Sequence, residues 1–208
     1  MGKSIMTGVT IVILMISLML IGVTAASVLT GQTTGTTTEQ DYEQILNEAV
    51  DEISTYITIK DQKGQFNIIN DKQRINKIAL WISPLVSQEI DVSQLTIQLD
   101  NGKDVMFLTY IGNAENMLTN SLFNYPIWNN MNGSNFGFIS VVDLDESLVD
   151  FNLINDYSDN AYVVFQLPND MALLKYEKIT VTLFPSTGIT RTIILKAPMP
   201  MSSVITFE

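Results

Sequence analysis

The chain of 208 residues reads as an α+β protein: a long hydrophobic amino-terminal α-helix, then an antiparallel β-sandwich or barrel-like domain. Three observations predict it. No charged side chain occurs from Ser4 to Thr38, and Ile5 to Leu29 is apolar almost without pause. From Ser54 onward the hydrophobic period changes from 3.6 to 2. The residues beyond are rich in Ile, Val, Thr, Tyr and Phe and punctuated by Asn, Asp and Gly, which suits pleated sheet. We therefore divide the chain into 1–53, apolar at 5–29 and polar to amphipathic at 30–53, and a β-rich domain at 54–208.

The first element would be about 37 Å long at ~1.5 Å per residue, enough to cross the ~30 Å hydrocarbon core of a bilayer. Ile11, Val12, Ile13, Leu14, Met15 and Ile16 are consecutive, so apolar groups fall on every face. Such a helix must be surrounded by lipid or protein rather than rest one stripe on a core. Hiding its sixteen large apolar side chains would stabilise by roughly 25–45 kcal/mol, an upper bound. The run is too long for a secretory signal peptide, although Thr24-Ala25-Ala26-Ser27 offers small residues at its end. The residues expected to pack helix against helix are Ile11, Leu14, Met15, Leu18, Ile21, Gly22, Ala25, Ala26 and Val28. Gly22 with Ala25, Ala26 and Ser27 forms a small-residue patch suited to close approach.

Residues 30–38 are small and polar, a linker or a polar continuation of the helix. Tyr42, Ile45, Leu46, Ala49, Val50 and Ile53 recur at three- and four-residue intervals and predict an amphipathic helix over 39–53. Glu39, Asp41 and Glu43 stand in its first turn, where the helix dipole favours negative charge. Strands are expected at 54–60 and 75–83, the second ended by Pro84. Asn101-Gly102 between 95–99 and 104–110 is a strong hairpin signal. Further strands are expected at 136–144, 148–154 and 161–167, a hairpin of 178–184 with 189–196, and a short strand at 203–207.

Residues 112–135 resist this pattern. Leu122, Phe123, Tyr125, Ile127, Trp128 and Met131 lie there among asparagines. So many apolar groups will not sit in water. Either the segment folds over one end of the sandwich, or Phe123, Tyr125 and Trp128 form a contact with another subunit.

Charge and composition exclude several functions. The formal charge of −11 lies almost wholly after residue 38 and argues against nucleic acid and anionic membrane surfaces. Cysteine and histidine are absent, which removes disulfides, thiolate chemistry, Cys/His zinc sites and His-based catalysis. Asp143 and Asp145 share a strand face, with Glu146, Asp150, Asp156 and Asp159 close by. Acidic turn residues facing water is the favoured reading and a structural calcium ion the alternative; no Asp-x-Asp-x-Asp-Gly loop occurs. We expect no enzyme, no cofactor and no resident metal. Asn132-Gly133-Ser134 is an Asn-x-Ser sequon and a candidate N-glycosylation site.

The apolar segment opening Gly8-Val-Thr-Ile-Val-Ile13 and closing Ala25-Ala-Ser-Val-Leu29 resembles the amino-terminal helix of archaellins, the filament subunits of the archaeal flagellum. The Thr/Gln-rich continuation over 30–53, the strands after it and the closing Lys178–Lys196 hairpin are similar too. The resemblance covers the whole chain in pattern and residues 8–29 in motif. It implies a helical homopolymer, or one shared with other archaellins. Amino-terminal helices would bundle in a dry core and β-rich domains would form the outer sheath of a rotating motility filament. It further implies an extracellular, glycosylated protein, embedded in the membrane before assembly, whose partners are the archaellum motor and assembly machinery. Two departures stand out: Lys3 follows Gly2 where the family has a basic leader before a glycine, and Thr10 stands where a second glycine often falls. A type IV pilin is the rival filament reading, but no acidic residue occurs before Glu39. A single-pass anchored accessory protein with an extracellular β-sandwich is the rival from another class.

Overall fold

The computed structural model describes residues 45, 57–69, 71–85, 89–118, 121–186, 189–199 and 203–207. The chain divides into two units, Met1–Asn47 and Glu48–Glu208. Ile45, helical and exposed, belongs to the first; everything below concerns the second.

Eleven strands are described: β1 (Ile57–Ile69), β2 (Lys72–Pro84), β3 (Ile90–Asp91), β4 (Thr96–Asp100), β5 (Val105–Asn116), β6 (Asn135–Val142), β7 (Leu153–Ile154), β8 (Asn160–Gln166), β9 (Lys178–Phe184), β10 (Arg191–Lys196) and β11 (Val204–Thr206). Nine form one sheet in the order β10-β9-β4-β5-β6-β8-β2-β1-β11, while β3 and β7 pair separately. One short helix, α1 (Ser147–Phe151), follows β6.

The expected fold class is corrected. Strands make up 56% of the described residues, and the sheet is a single curled one, so the α+β description does not hold for them. No long amino-terminal helix is seen among the described residues, nor any helix long and apolar enough to cross a membrane. The segment 1–53 on which that helix was expected lies, Ile45 apart, outside them. The sheet is also not purely antiparallel, because β5 and β6 run parallel. Alternation of apolar and polar residues reports only that a strand is half-buried, not its direction, so the sequence could not show this.

Curling gives the sheet an inner and an outer face. Along β2, Ile78, Leu80 and Ile82 point inward and are fully buried with Leu99, Leu108, Phe138, Phe165 and Val181. Ala79 takes the other side, in a second cluster. Strand period 2 sorts neighbours onto opposite faces, and here both faces of β2, β6 and β8 are apolar.

Three strands are longer than their hydrophobic pattern predicts. β1 and β2 pair from Ile57↔Pro84 to Ile69↔Lys72 through a polar stretch around Gly64. A Cβ on Gly64 would lie 2.8 Å from the Phe207 ring and 2.9 Å from Ile75 Cγ2, so only glycine lets β11 seat there. β5 continues past a register shift between Tyr110 and Ala114, where Gly112 has φ +70°. The strand expected at 148–154 is instead α1 followed by the two residues of β7. Glu146 and Asn152 cap α1 at both ends in left-handed conformation. That leaves too little extended backbone for a longer strand.

Candidate functional site

The long loop is explained by topology. Parallel strands need a crossover of a dozen or more residues, and 117–134 is that crossover from β5 to β6. It folds as two 3-10 turns, Leu122–Asn124 and Pro126–Asn130, over the outer face of the sheet. Leu122, Phe123, Tyr125, Ile127, Trp128 and Met131 are all buried against Ala79, Ile139, Tyr162 and Val164. Trp128 stacks tilted on Phe123 with ring centroids 5.4 Å apart, and its indole N–H donates to the Leu122 carbonyl at 2.9 Å. Lys77 comes up from β2 beneath this lid. Its ammonium donates to the Phe123 carbonyl at 3.2 Å and sits 5.0 Å from the Trp128 ring centroid. Burial lowers the Lys77 pKa from its ordinary value. Phe123, Tyr125 and Trp128, singled out for subunit contact, are thus packed within their own chain, 5%, 9% and 5% exposed.

The acidic residues converge between β6 and β8. One carboxylate oxygen from each of Asp143, Asp145 and Asp159 lies within 4.8 Å of the others. Their hydrogen bonds close the turns that carry them. Asp143 accepts from the backbone N–H of Ser147 at 3.1 Å and of Leu148 at 3.0 Å, holding the start of α1. Asp145 accepts from Ser147 N–H at 3.2 Å and from the Asn155 side-chain amide at 2.8 Å. Asp159 accepts the backbone N–H groups of Asn155 at 3.0 Å and Asp156 at 2.9 Å.

Burial pushes the Asp143 carboxyl above the ordinary aspartate value; the Leu148 N–H opposes this, and the charges of Asp159 and Asp145 reinforce it. Asp145 is held down at about 2, chiefly by the Asn155 hydrogen bond. The two shifts are opposite because burial weighs most on Asp143, while the Asn155 side-chain hydrogen bond favours the charged form of Asp145. Chemically the cluster is a turn lock. Its oxygen donors are also the type a hard cation takes, though three carboxylates fall short of the six to eight oxygens typical of Ca2+. A cavity of about 410 Å³ opens beside it, lined by Glu89, Leu144, Asp145, Asn155, Asp156, Ser158 and Asp159.

Asn132 is exposed at the foot of β6. Its side-chain oxygen accepts the Ser134 hydroxyl at 2.8 Å and the Ser134 N–H at 3.0 Å, an Asx turn around Gly133 at φ +83°. Its amide nitrogen remains the donor left for chemistry. The helix-packing residues Ile11, Leu14, Met15, Leu18, Ile21, Gly22, Ala25, Ala26 and Val28 lie outside the described residues.

Sequence reasoning missed the Lys77 contact and the Tyr110 hydroxyl, which donates to Asn152 Oδ1 at 2.7 Å and is pushed up to about 12 by burial and by Asp91. Neither carries a local signal, since each partner is distant in the chain.

A curled sheet with an aromatic lid, whose carboxylates are committed to holding turns, defines a structural module. Comparison with known proteins agrees and is more specific. A family model described as archaeal-type flagellin matches residues 6–195. The crystal structure of archaeal flagellin FlaB1 from Methanocaldococcus jannaschii aligns at TM-score 0.63 and 19% identity, over 73% of this chain and 95% of that one. The archaeal flagellum of Methanospirillum hungatei aligns at TM-score 0.53 and 10% identity, over 97% of this chain and 99% of that one. No curated protein sequence matches. At these identities the two structures speak for the fold.

The chain belongs to the archaeal-type flagellin family. It is a structural subunit of the archaeal flagellum, the archaellum, a filament of the cell surface.

Proposed function

We propose that this subunit polymerises helically through its apolar amino-terminal segment, residues 5–29, and that the β-rich domain forms the filament's outer sheath. The observation that carries this is the charge-free run from Ser4 to Thr38, whose residues 5–29 would present apolar groups on every face of a helix that water cannot solvate. Before assembly the same run rests in the membrane, and the archaellum motor and assembly machinery draw it into a similarly apolar bundle. The assembled polymer is extracellular and rotates for swimming, alone or with other archaellins. Asn132, exposed with its oxygen engaged by Ser134, carries an N-linked glycan.

Electron microscopy of Leu14→Lys and Ile16→Asp chains tests the polymer. A buried unpaired charge is strongly disfavoured in a helix bundle, so filaments should vanish while the outer domain stays folded. Normal filaments from either variant would overturn the packing reading. Rotation of tethered cells separates a swimming filament from an adhesive one. Loss of a glycan mass in Asn132→Gln, read by mass spectrometry, checks the modification.

A further inference from the structure

The crossover lid covers part of the sheet's outer face and stops at buried Met131, one residue before exposed Asn132. Beyond the lid the same face continues bare. Along β5 the odd-numbered side chains point outward. Ile111 packs under the lid, whereas Thr109, Phe107 and Val105 are exposed, Phe107 by 57% and Val105 by 56%. Cross-strand register extends each of the three into a row. Thr109 faces Thr96 and then Phe184. Phe107 faces Gln98, then Thr182 and Thr192. Val105 faces Asp100, then Thr180 and Ile194, the last 58% exposed. Asp100 is the one charged side chain in these rows; the others carry hydroxyls, an amide or apolar groups.

The sequon stands at the border of this bare face. Asn135, on the outer side of β6 with Ile139, accepts the Asn132 backbone N–H at 3.1 Å and donates its side-chain amide to the Asn130 carbonyl at 3.1 Å. Asn135 is also the register partner of Thr109, whose N–H donates to the Ser134 carbonyl at 3.2 Å. Neighbouring strands lie ~5 Å apart, and alternate residues along a strand ~7 Å. Phe107 is therefore within reach of the first sugars of a glycan linked at Asn132. The Asn132 Oδ1 is held by the Ser134 N–H and hydroxyl. Its Nδ2, the atom an N-glycan takes, has no partner among the described residues.

The geometry points to a seat for the Asn132 glycan: its first sugars lie on the bare outer face of β5, β4, β9 and β10, against Phe107. A pyranose has an apolar C–H face edged by hydroxyls. The Phe107 ring offers an electron-rich face to polarised C–H groups, and Gln98, Thr109 and Thr192 offer hydrogen-bonding groups beside it. Exposed apolar groups gathered on one sheet face mark an interaction surface. The tether names the occupant, because the lid ends and the attachment point begins on the same border of the sheet. A highly charged partner finds little there to pair with. This seating rests on N-glycosylation of Asn132 and adds where the glycan goes: it continues the cover that the crossover begins.

The test is hydroxyl-radical labelling of the full-length glycosylated chain, held unassembled in detergent and read residue by residue by mass spectrometry. The references are Asn132→Gln and Ser134→Ala, each of which destroys the sequon. Wild-type chain made in a host without the glycosylation machinery is a third, unmutated reference. Labelling of Phe107 should fall several-fold in the glycosylated chain. The limit is the about tenfold difference between its 57% exposure and the 5% of Phe123 under the lid. Phe151, 68% exposed beyond the far end of β6, should label alike in every chain and reports that the fold is intact. A variant whose Phe151 departs from wild type is replaced by the unmutated reference. Equal labelling of Phe107 with and without the glycan overturns the seating, whether the ring is open in both or covered in both by another occupant. A wild-type chain with no glycan mass on Asn132 overturns the glycosylation reading instead, a distinguishable result.

Discussion

Trp128→Ala decides whether the crossover lid belongs to its own domain or to an interface. Trp128 is 5% exposed, packs on Phe123 and lies over the Lys77 ammonium. Truncating a buried tryptophan costs about 3–5 kcal/mol through lost transfer energy and the cavity left behind. The Leu122 carbonyl would also lose its indole donor, and Lys77 its ring, so about 4 kcal/mol is a fair expectation. For a domain of this size each kcal/mol moves Tm by roughly 2–4 °C, giving a fall of about 8–16 °C. The assay is denaturation of the full chain held unassembled in detergent, followed by tryptophan-independent far-UV signal. Phe107→Ala, 57% exposed on the uncovered part of the sheet, serves as the control and should change stability by less than about 0.5 kcal/mol. If the unassembled Trp128→Ala chain melts with wild type while its filaments weaken, the lid is an intersubunit element and the packing derived above is wrong.

Other perturbations read other parts of the structure. Gly64→Val should destabilise by about 1–3 kcal/mol, because even a Cβ there would meet Phe207 at 2.8 Å; an unchanged denaturation midpoint would show that β11 does not seat over Gly64. The two aspartates of the turn lock predict opposite pH effects. Asp145, depressed to about 2, contributes stability that is complete above its unfolded value of 3.8 and is lost as pH falls toward 2. Asp143, raised by burial, disfavours the fold when ionised, so its cost is relieved as pH falls through its folded pKa. Asp145→Asn should flatten the decline between pH 4 and about 2 in a denaturation series; an unchanged profile would remove Asp145 from the lock.

Much of the sheet was legible because strand signals are local. The β9–β10 hairpin falls where alternation and the intervening Pro185 and Gly188 put it, β9 at Lys178–Phe184 as expected. The Asn101-Gly102 turn is likewise where its residues demand, pinned by Asp100 accepting the Gly102 N–H at 2.7 Å. What failed was long-range. β1 and β2 carry polar runs, Lys60 to Gln65 and Lys72 to Arg74, that extend because each pairs with the other strand, Asp61–Gln65 against Trp81–Lys77 and Lys72–Arg74 against Ile69–Asn67. Residues 148–154 alternate well enough for a strand, yet Asp143 draws the N–H groups of Ser147 and Leu148 into a helical turn instead.

The candidate sites divide along the same line. The convergence of Asp143, Asp145 and Asp159 was half visible, since two of the three are two residues apart, but Asp159 arrives only because β8 returns beside β6. The lid shows the stronger lesson. Apolar residues in a loop signal that something must cover them, and the sequence left two covers open, a partner subunit or the chain itself. Parallel pairing of β5 with β6 supplies a cover from the chain itself, because such a crossover must traverse a face of the sheet. The face it traverses is the one where Ala79, Ile139 and Val164 need burial. By the same reasoning the apolar groups left outside, Leu144 and Phe151, keep the question open in the turns that follow β6. Among the described residues no segment covers them.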